Sequence, residues 1–242
     1  MTANGTSGRT DLGPRLDLRR KTQQRARRKR AIIIGAALVV LAVLAWVALF
    51  SSALAPREVP VTGTQLTTTD ETVQTARVPP GTPLTRIPAD AIRQRLLALP
   101  EVADVVLHRN WPHELGIEVI ERTMVYQRIN AGSYQWVDAS GKIFHTASEP
   151  VEGVVADTAG DEQRMLADVA TVVSALPADV VAQTTQVTAS TIDHIVVELA
   201  DGRQIVWGNA SLSDEKAALL PVLLAQPGTV FDVSAPGHPA IR

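Results

Sequence analysis

The hydrophobic pattern divides the chain into one long apolar run followed by a region of short amphipathic elements. The run extends from Ala31 to Phe50 and contains no charged or strongly polar side chain. A helix of that length spans about 30 Å, the hydrocarbon thickness of a bilayer. The pattern therefore predicts a transmembrane helix over residues 31–51, with Ala31 and Phe50 bounding the apolar anchor.

After the anchor, residues 57–124 show the periodicities of a small mixed domain with the element order β-α-α-β-β. The predicted elements are a strand beginning at Val59, a helix opened by the capping-box spacing at Thr68, a second helix over 90–99, and a hairpin over 105–119. The two helices are expected to cover one face of the strands.

Residues 125–242 predict a second, β-rich domain that also contains amphipathic helices. Its signals are a hairpin turn ending at Gly141, an amphipathic helix from Met165 to Leu176, a hairpin turn at Asp201-Gly202, a helix from Ser213, and a last strand over 229–234. Because a Pro/Gly-rich tail follows the last strand, that strand is expected at a sheet edge. The fold class is thus α+β.

Charge separates the two sides of the apolar run. Residues 1–30 carry ten Lys or Arg and two Asp, whereas the rest of the chain carries thirteen Lys or Arg and twenty-three Asp or Glu. Basic flanks stay in the cytoplasm, which predicts a cytoplasmic N-terminus and an extracytoplasmic region from about Ser51. Residues 1–30 are expected to form a disordered basic tail that contacts anionic lipid rather than nucleic acid.

A cleaved signal peptide is the alternative interpretation of the apolar run. The sequence Ala53-Leu54-Ala55 has the small-x-small pattern of a cleavage site. Against cleavage, the run exceeds the usual length of about 7–15 residues, and Pro56 directly follows the site. Retention as an anchor is the favoured prediction.

The side chains offer little catalytic chemistry. The chain has no cysteine, which excludes thiol catalysis and thiolate metal sites. His108 and His113 flank a turn at no standard metal spacing, and Asp193 and His194, as strand neighbours, point to opposite faces. No enzyme, cofactor, metal or small-molecule substrate is therefore expected.

Several motifs follow one another along the two predicted domains. The first domain contains Leu99-Pro100-x-Val102, Arg109-x-Trp111-Pro112, and Leu115-x-Ile117-x-Val119-x-Glu121-Arg122. The second contains Val137-Asp138-x-x-Gly141-x-Ile143-Phe144, Gly202-Arg203-x-Ile205-Val206-Trp207-Gly208, and Asp232-Val233-Ser234. With these motifs the first domain resembles a POTRA domain, and the whole succession resembles the FtsQ/DivIB cell-division proteins of bacteria, in particular the actinobacterial members.

The resemblance implies a non-catalytic divisome scaffold at the division septum. Such proteins bind FtsB/DivIC-like and FtsL-like single-pass coiled-coil proteins and help control septal peptidoglycan synthases. In the family, FtsB adds a strand to the edge made by the last strand. The residues implied here are Val230, Phe231, Asp232, Val233 and Ser234.

Four side chains have two possible interpretations. Trp207 either packs under the last helix or forms part of a partner surface. Lys216 either belongs to the same partner surface or is a solvated residue in the first turn of that helix. Phe231 and Val233 either contact the partner or close the core. Under the first interpretation, Phe231→Asp or Val233→Asp removes partner binding without unfolding the protein.

Two other functions compete with the scaffold. A POTRA-type chaperone or secretion accessory protein would bind extended polypeptides at the strand beginning at Val59. An anchored hydrolase would use His194, but the sequence lacks a G-x-S-x-G motif.

Overall fold

A computed structural model describes residues 13–242, and its first element is a long helix, α1 (Gly13–Phe50). The segment Arg28–Val47 of α1 is long and apolar enough to cross a membrane, and none of it is buried in the protein. Residues 13–30 are helical, so the disordered tail predicted for them is wrong. The physical reason is their content of Arg, Lys, Gln and Leu, which are good helix formers. The rest of that tail, residues 1–12, lies outside the described residues.

The chain divides into two compact units. Among the described residues, the first contains 13–59 together with 79–87 and 109–115, and the second contains 60–78, 88–108 and 116–242. In the first unit the Arg109 side chain donates to the carbonyls of Leu84 and Ile87 at 3.0 and 3.2 Å. A boundary between residues 124 and 125 stays a prediction.

The element order β-α-α-β-β is present between residues 61 and 121. The elements are β1 (Val61–Thr62), α2 (Thr69–Ala76), α3 (Ala89–Leu96), β2 (Val102–Asn110) and β3 (Glu114–Glu121). The strands form one sheet in the order β1-β3-β2, which leaves β1 at an edge.

Three local predictions can be compared with these elements. The Thr68 side chain caps α2 by accepting from the Glu71 N–H at 3.2 Å, as the capping box predicts. Helix α3 ends at Leu96, three residues before the predicted end, because Leu99 N–H turns back to the Leu96 carbonyl at 3.1 Å. Strand β1 begins at Val61 rather than Val59, since Pro60 has no N–H to extend the ladder.

The remaining strands form a nine-stranded sheet accompanied by three helices. In chain order they are β4 (Tyr126–Asn130), β5 (Ser133–Val137), β6 (Ile143–Ala147), β7 (Val155–Thr158), α4 (Gln163–Ala175), α5 (Ala178–Val181), β8 (Thr184–Thr191), β9 (His194–Leu199), β10 (Gln204–Gly208), α6 (Ser213–Leu223), β11 (Val230–Asp232) and β12 (Ala240–Ile241). The order across the sheet is β12-β11-β10-β9-β8-β7-β4-β5-β6.

Helices connect two of the three parallel pairs of this sheet and cover its apolar face, while the third pair, β4 and β7, is connected through β5 and β6. Strands β7 and β8 are joined through α4 and α5, and β10 and β11 through α6. Alternate residues of β9 are buried, at Ile195, Val197 and Leu199, which is the signature of a sheet with one face in the core. The core cluster unites these side chains with the apolar faces of α4 and α6.

The last strand of the sheet is β12, not β11. The predicted edge strand, β11, lies between β10 and β12 and pairs with β12 in antiparallel register. The prediction is wrong here because the Pro/Gly segment 234–239 reverses the chain and brings Ala240 and Ile241 back onto the outer side of β11.

Candidate functional site

The five candidate residues at and just after β11 lie in different environments. Phe231 and Val233 are fully buried, Val230 and Asp232 are half-buried, and Ser234 is exposed. Val233 follows the strand and donates its N–H to the Val206 carbonyl at 3.0 Å.

Phe231 and Val233 are therefore core residues, which is the second of the two interpretations given from the sequence. An Asp side chain at either position would place a carboxylate among apolar side chains, at a large cost in folding free energy. For this reason we expect Phe231→Asp or Val233→Asp to unfold the protein rather than to remove binding in a folded protein. Val230, Asp232 and Ser234 are the candidates with accessible side chains.

Trp207 is a core residue rather than a partner surface. Its side chain is fully buried, and its Nε1–H donates to Ser213 Oγ at 3.1 Å. Ser213 Oγ in turn donates to the Ala210 carbonyl at 2.8 Å. These bonds fasten the end of β10 to the start of α6.

Lys216 is buried as well, contrary to both sequence interpretations. Its Nζ donates to the carbonyls of Trp207 and Asn209 at 3.0 and 2.8 Å, and burial lowers the pKa of this ammonium group. The ammonium satisfies backbone acceptors where the chain leaves the sheet. Trp207 and Lys216 consequently position the helix that leads to β11 and have no surface to offer a partner.

Gly208 allows the segment after β11 to approach β10 closely. Its backbone has a φ of +77°, and a Cβ there would come within 2.8 Å of the Ser234 Cβ. A side chain at position 208 would push the segment around Ser234 away. Trp207 thus anchors the start of α6, and Gly208 leaves room for the segment around Ser234 that follows β11.

The outer side of β11 is bonded to residues of the same chain. Phe231 pairs with Ile241 and Asp232 with Ala240, while the N–H groups of Thr229 and Val230 both donate to the Arg242 carbonyl. Ser234 donates from its Oγ to Asp232 at 2.6 Å and holds the pKa of Asp232 below its ordinary value, helped by the charge of Arg242.

Sequence reasoning missed β12, whose only signal is one apolar residue, Ile241, after the Pro/Gly turn.

The Glu-Arg pair that ends β3 fastens neighbouring segments through two separate sets of bonds. Glu121 accepts from the backbone N–H groups of Gln65, Leu66 and Thr67 at 2.8–3.0 Å. Burial alone would raise the pKa of Glu121, but these donors outweigh it and lower the pKa. The carboxylate thus holds the loop before α2 against the end of β3.

Arg122 links the end of β3 to the turn after β5. It donates to the Pro100 carbonyl at 3.1 Å and forms an ion pair with Asp138. Asp138 also accepts from Ser140 N, Ser140 Oγ and Lys142 N at 2.7–3.0 Å. Burial acts to raise the pKa of Asp138, and the four donors together lower it.

Two of the histidines considered for chemistry, His108 and His194, lie at the surface. His108 contacts Glu118 on the neighbouring strand at 2.9 Å, and both side chains are half exposed. His194 is exposed at the start of β9. Within residues that the structure describes, no three His, Cys, Asp or Glu side chains are grouped as metal ligands.

Two family models together match most of the region after the anchor. The model described as "POTRA domain, FtsQ-type" matches residues 54–122, and the model described as "Cell division protein FtsQ/DivIB, C-terminal" matches residues 125–234. The second match ends before β12.

Curated relatives match over nearly the whole chain, and each is named cell division protein FtsQ. The Streptomyces collinus protein is 36% identical over 88% of both chains. The Mycolicibacterium smegmatis protein is 34% identical over 87% of this chain and 65% of its own, and that of Mycobacterium tuberculosis H37Rv is 30% identical over 88% and 69%. A solved extracytoplasmic domain of DivIB from Geobacillus stearothermophilus matches 43% of this chain and 92% of its own at 15% identity, with a TM-score of 0.36.

The apolar helix, the POTRA domain and the β-rich region define a single-pass membrane protein whose mass lies mostly beyond its anchor. The identity to the relatives and the two model matches place it more narrowly. The chain belongs to the FtsQ/DivIB family of bacterial cell-division proteins.

Proposed function

We propose that this protein is a non-catalytic, membrane-anchored scaffold of the division machinery. Its outer region binds FtsB/DivIC-like and FtsL-like single-pass proteins and so helps to control septal peptidoglycan synthesis. The observation that carries the proposal is membership of the FtsQ/DivIB family, at 36% identity over 88% of both chains for one relative.

The end of the nine-stranded sheet formed by β11 and β12 is the proposed binding edge. A strand added to a sheet gains main-chain hydrogen bonds, and alternate side chains decide which partner fits. Val230, Asp232 and Ser234 have side chains accessible to a partner, while Phe231 and Val233 keep the strand in place from the core side.

Hydrogen bonds along so short an edge are a modest part of the affinity. Each is worth about 0.5–1.5 kcal/mol net, while micromolar binding requires about 8 kcal/mol. Side-chain contacts around the edge and contacts between transmembrane helices have to supply the rest. The basic segment before the anchor adds attraction to anionic lipid.

Site-specific photo-crosslinking in dividing cells tests the binding edge. The probe is placed at Ser234, which is exposed next to β11, because Val233 is buried. Thr146 on β6 is the control, since it is exposed on the strand at the opposite edge of the same sheet. A third probe at Thr62 examines β1, the edge of the POTRA sheet.

We expect the Ser234 probe to capture an FtsB/DivIC-like single-pass protein and the Thr146 probe to capture none. Capture of that protein at Thr146 and Ser234 alike would reject the edge as a specific site. Capture at Thr62 of a different, extended polypeptide, with none at Ser234, would favour the chaperone or secretion function instead.

A further inference from the structure

Residues 240–242 occupy the side of β11 that a partner strand would need. The Arg242 carbonyl accepts from the N–H groups of Thr229 and Val230 at 2.8 and 3.0 Å, and the Arg242 N–H donates to the Val230 carbonyl at 2.9 Å. Two strands cannot use the same backbone groups at once. A partner strand that pairs with β11 itself must therefore replace these residues.

The chain is shaped to receive this segment. Gly228 leaves room for Ile241, because a Cβ at position 228 would come within 2.3 Å of the Ile241 Cγ2 atom. The connecting turn is closed by the bonds from Ser234 to Asp232 and by the His238 N–H, which donates to the Ala235 carbonyl at 2.9 Å. The pairing is thus supported from both ends.

The same segment is held far less firmly than the rest of the sheet. Strand β12 has two residues, and Ala240, Ile241 and Arg242 are all exposed. Short exposed segments with few apolar contacts open at a small fraction of the free energy of global unfolding. Release of β12 would leave the pairing of β11 with β10 in place.

We propose that residues 240–242 form an intramolecular strap that competes with the partner strand for β11, so that binding requires release of the strap. This inference rests on the proposed function, since it concerns regulation of the same edge. The strap shields an otherwise open edge while the partner is absent. It also weakens the apparent affinity, because the partner can bind only during the fraction of time in which the edge is uncovered.

A disulfide lock tests the competition directly. Asp232 and Ala240 are directly opposite residues, whose Cα atoms in an antiparallel pair lie about 4.5–5.5 Å apart, within the disulfide range of about 4.4–6.8 Å. Because the chain has no cysteine, Asp232→Cys with Ala240→Cys can form only this bond within one molecule. The full-length protein in nanodiscs is titrated with the extracytoplasmic segment of an FtsB/DivIC-like protein, in oxidised and reduced forms.

We expect the oxidised form to bind at least tenfold more weakly than the same protein after reduction. Equal binding by the two forms would overturn the strap while leaving the proposed function intact. If the wild-type protein and every variant fail to bind the segment, the proposed function fails together with the strap.

A pair of glycine substitutions tests the same idea without a cross-link. Gly228→Ala crowds Ile241 and should loosen the strap, whereas Gly237→Ala introduces a Cβ with no atom within 4 Å. We expect binding about threefold or more tighter for Gly228→Ala than for Gly237→Ala. Identical affinities would count against the strap.

Amide hydrogen exchange on the wild-type protein gives a readout that needs no variant. When the FtsB/DivIC-like segment binds, the Arg242 N–H should lose its protection because its acceptor, the Val230 carbonyl, is taken by the partner. Unchanged or increased protection of Arg242 would mean that the partner pairs outside β12, and it would overturn the proposal.

Discussion

Charged side chains in this protein act mainly on backbone groups. Lys216 satisfies two carbonyls where β10 ends, Glu121 binds three N–H groups ahead of α2, and Asp138 binds two N–H groups besides Arg122. Bonds of this kind fix turns in one conformation because an unpaired buried polar group is costly. The sequence indicates a turn at Asp138 through the spacing to Gly141, but not that Arg122 would reach it.

The pKa of Asp138 makes the stability of this turn dependent on pH. Because the pKa is lower in the folded state than the ordinary value of about 4, the charged form stabilises the protein above that value, and the effect is lost as the pH falls through the folded pKa. We expect Asp138→Asn to cost about 1–2 kcal/mol at neutral pH and progressively less below pH ~4. Urea unfolding of the full chain in detergent between pH 3 and 7 measures the difference.

Asp157→Asn is the matched control for that measurement, since Asp157 is exposed on β7. Its effect should stay within about 0.5 kcal/mol across the whole range. A cost for Asp138→Asn that is independent of pH would show that the lost stability does not come from ionisation.

At the scale of elements, local signals fix helix starts more closely than strand positions. The cap at Thr68 needs only its own hydroxyl and the N–H of Glu71, three residues away, so it can be recognised from the sequence. The length of β1 depends on pairing with β3, in which Val61 lies opposite Ile117. The predicted strand began two residues early because the alternation of Val59 and Val61 continues across Pro60, which has no N–H to give to the ladder.

The cap can be tested with two adjacent threonines. Thr68→Ala should destabilise α2 by about 1 kcal/mol, because the Glu71 N–H loses its acceptor. Hydrogen exchange of the α2 amides should accelerate by about fivefold if they open locally. Thr69→Ala, the same substitution at the first exposed residue of the helix, should have little effect, and equal acceleration by both substitutions would refute the role of the cap.

At the scale of the whole molecule, one apolar helix and an uneven distribution of charge predict the orientation in the membrane. Residues 1–30 are strongly basic and the rest of the chain is acidic, so the N-terminus is expected inside and the mass of the protein outside. This arrangement agrees with a scaffold that meets its partners beyond the membrane.

The absence of cysteine makes the orientation straightforward to measure. A membrane-impermeant maleimide applied to spheroplasts should label Thr146→Cys and should leave Thr2→Cys unlabelled until lysis. The membrane fraction should contain the chain at its full mass of 25.9 kDa. Labelling of Thr2→Cys before lysis would reverse the orientation, and a product shortened to begin at Pro56 would identify a cleaved signal peptide.

The sequence by itself determined the anchor, the β-α-α-β-β order of the first domain and the family, because each rests on local periodicity or on motifs at fixed spacing. Tertiary structure alone decided which side chains are accessible. The fold buries four candidate side chains, those of Trp207, Lys216, Phe231 and Val233. Helix α6 packs on the sheet, and β11 lies within the sheet between β10 and β12. Tertiary structure also decided which strand lies at the edge, since two residues of β12 become a strand only where the unpaired backbone of β11 is present to bond with them.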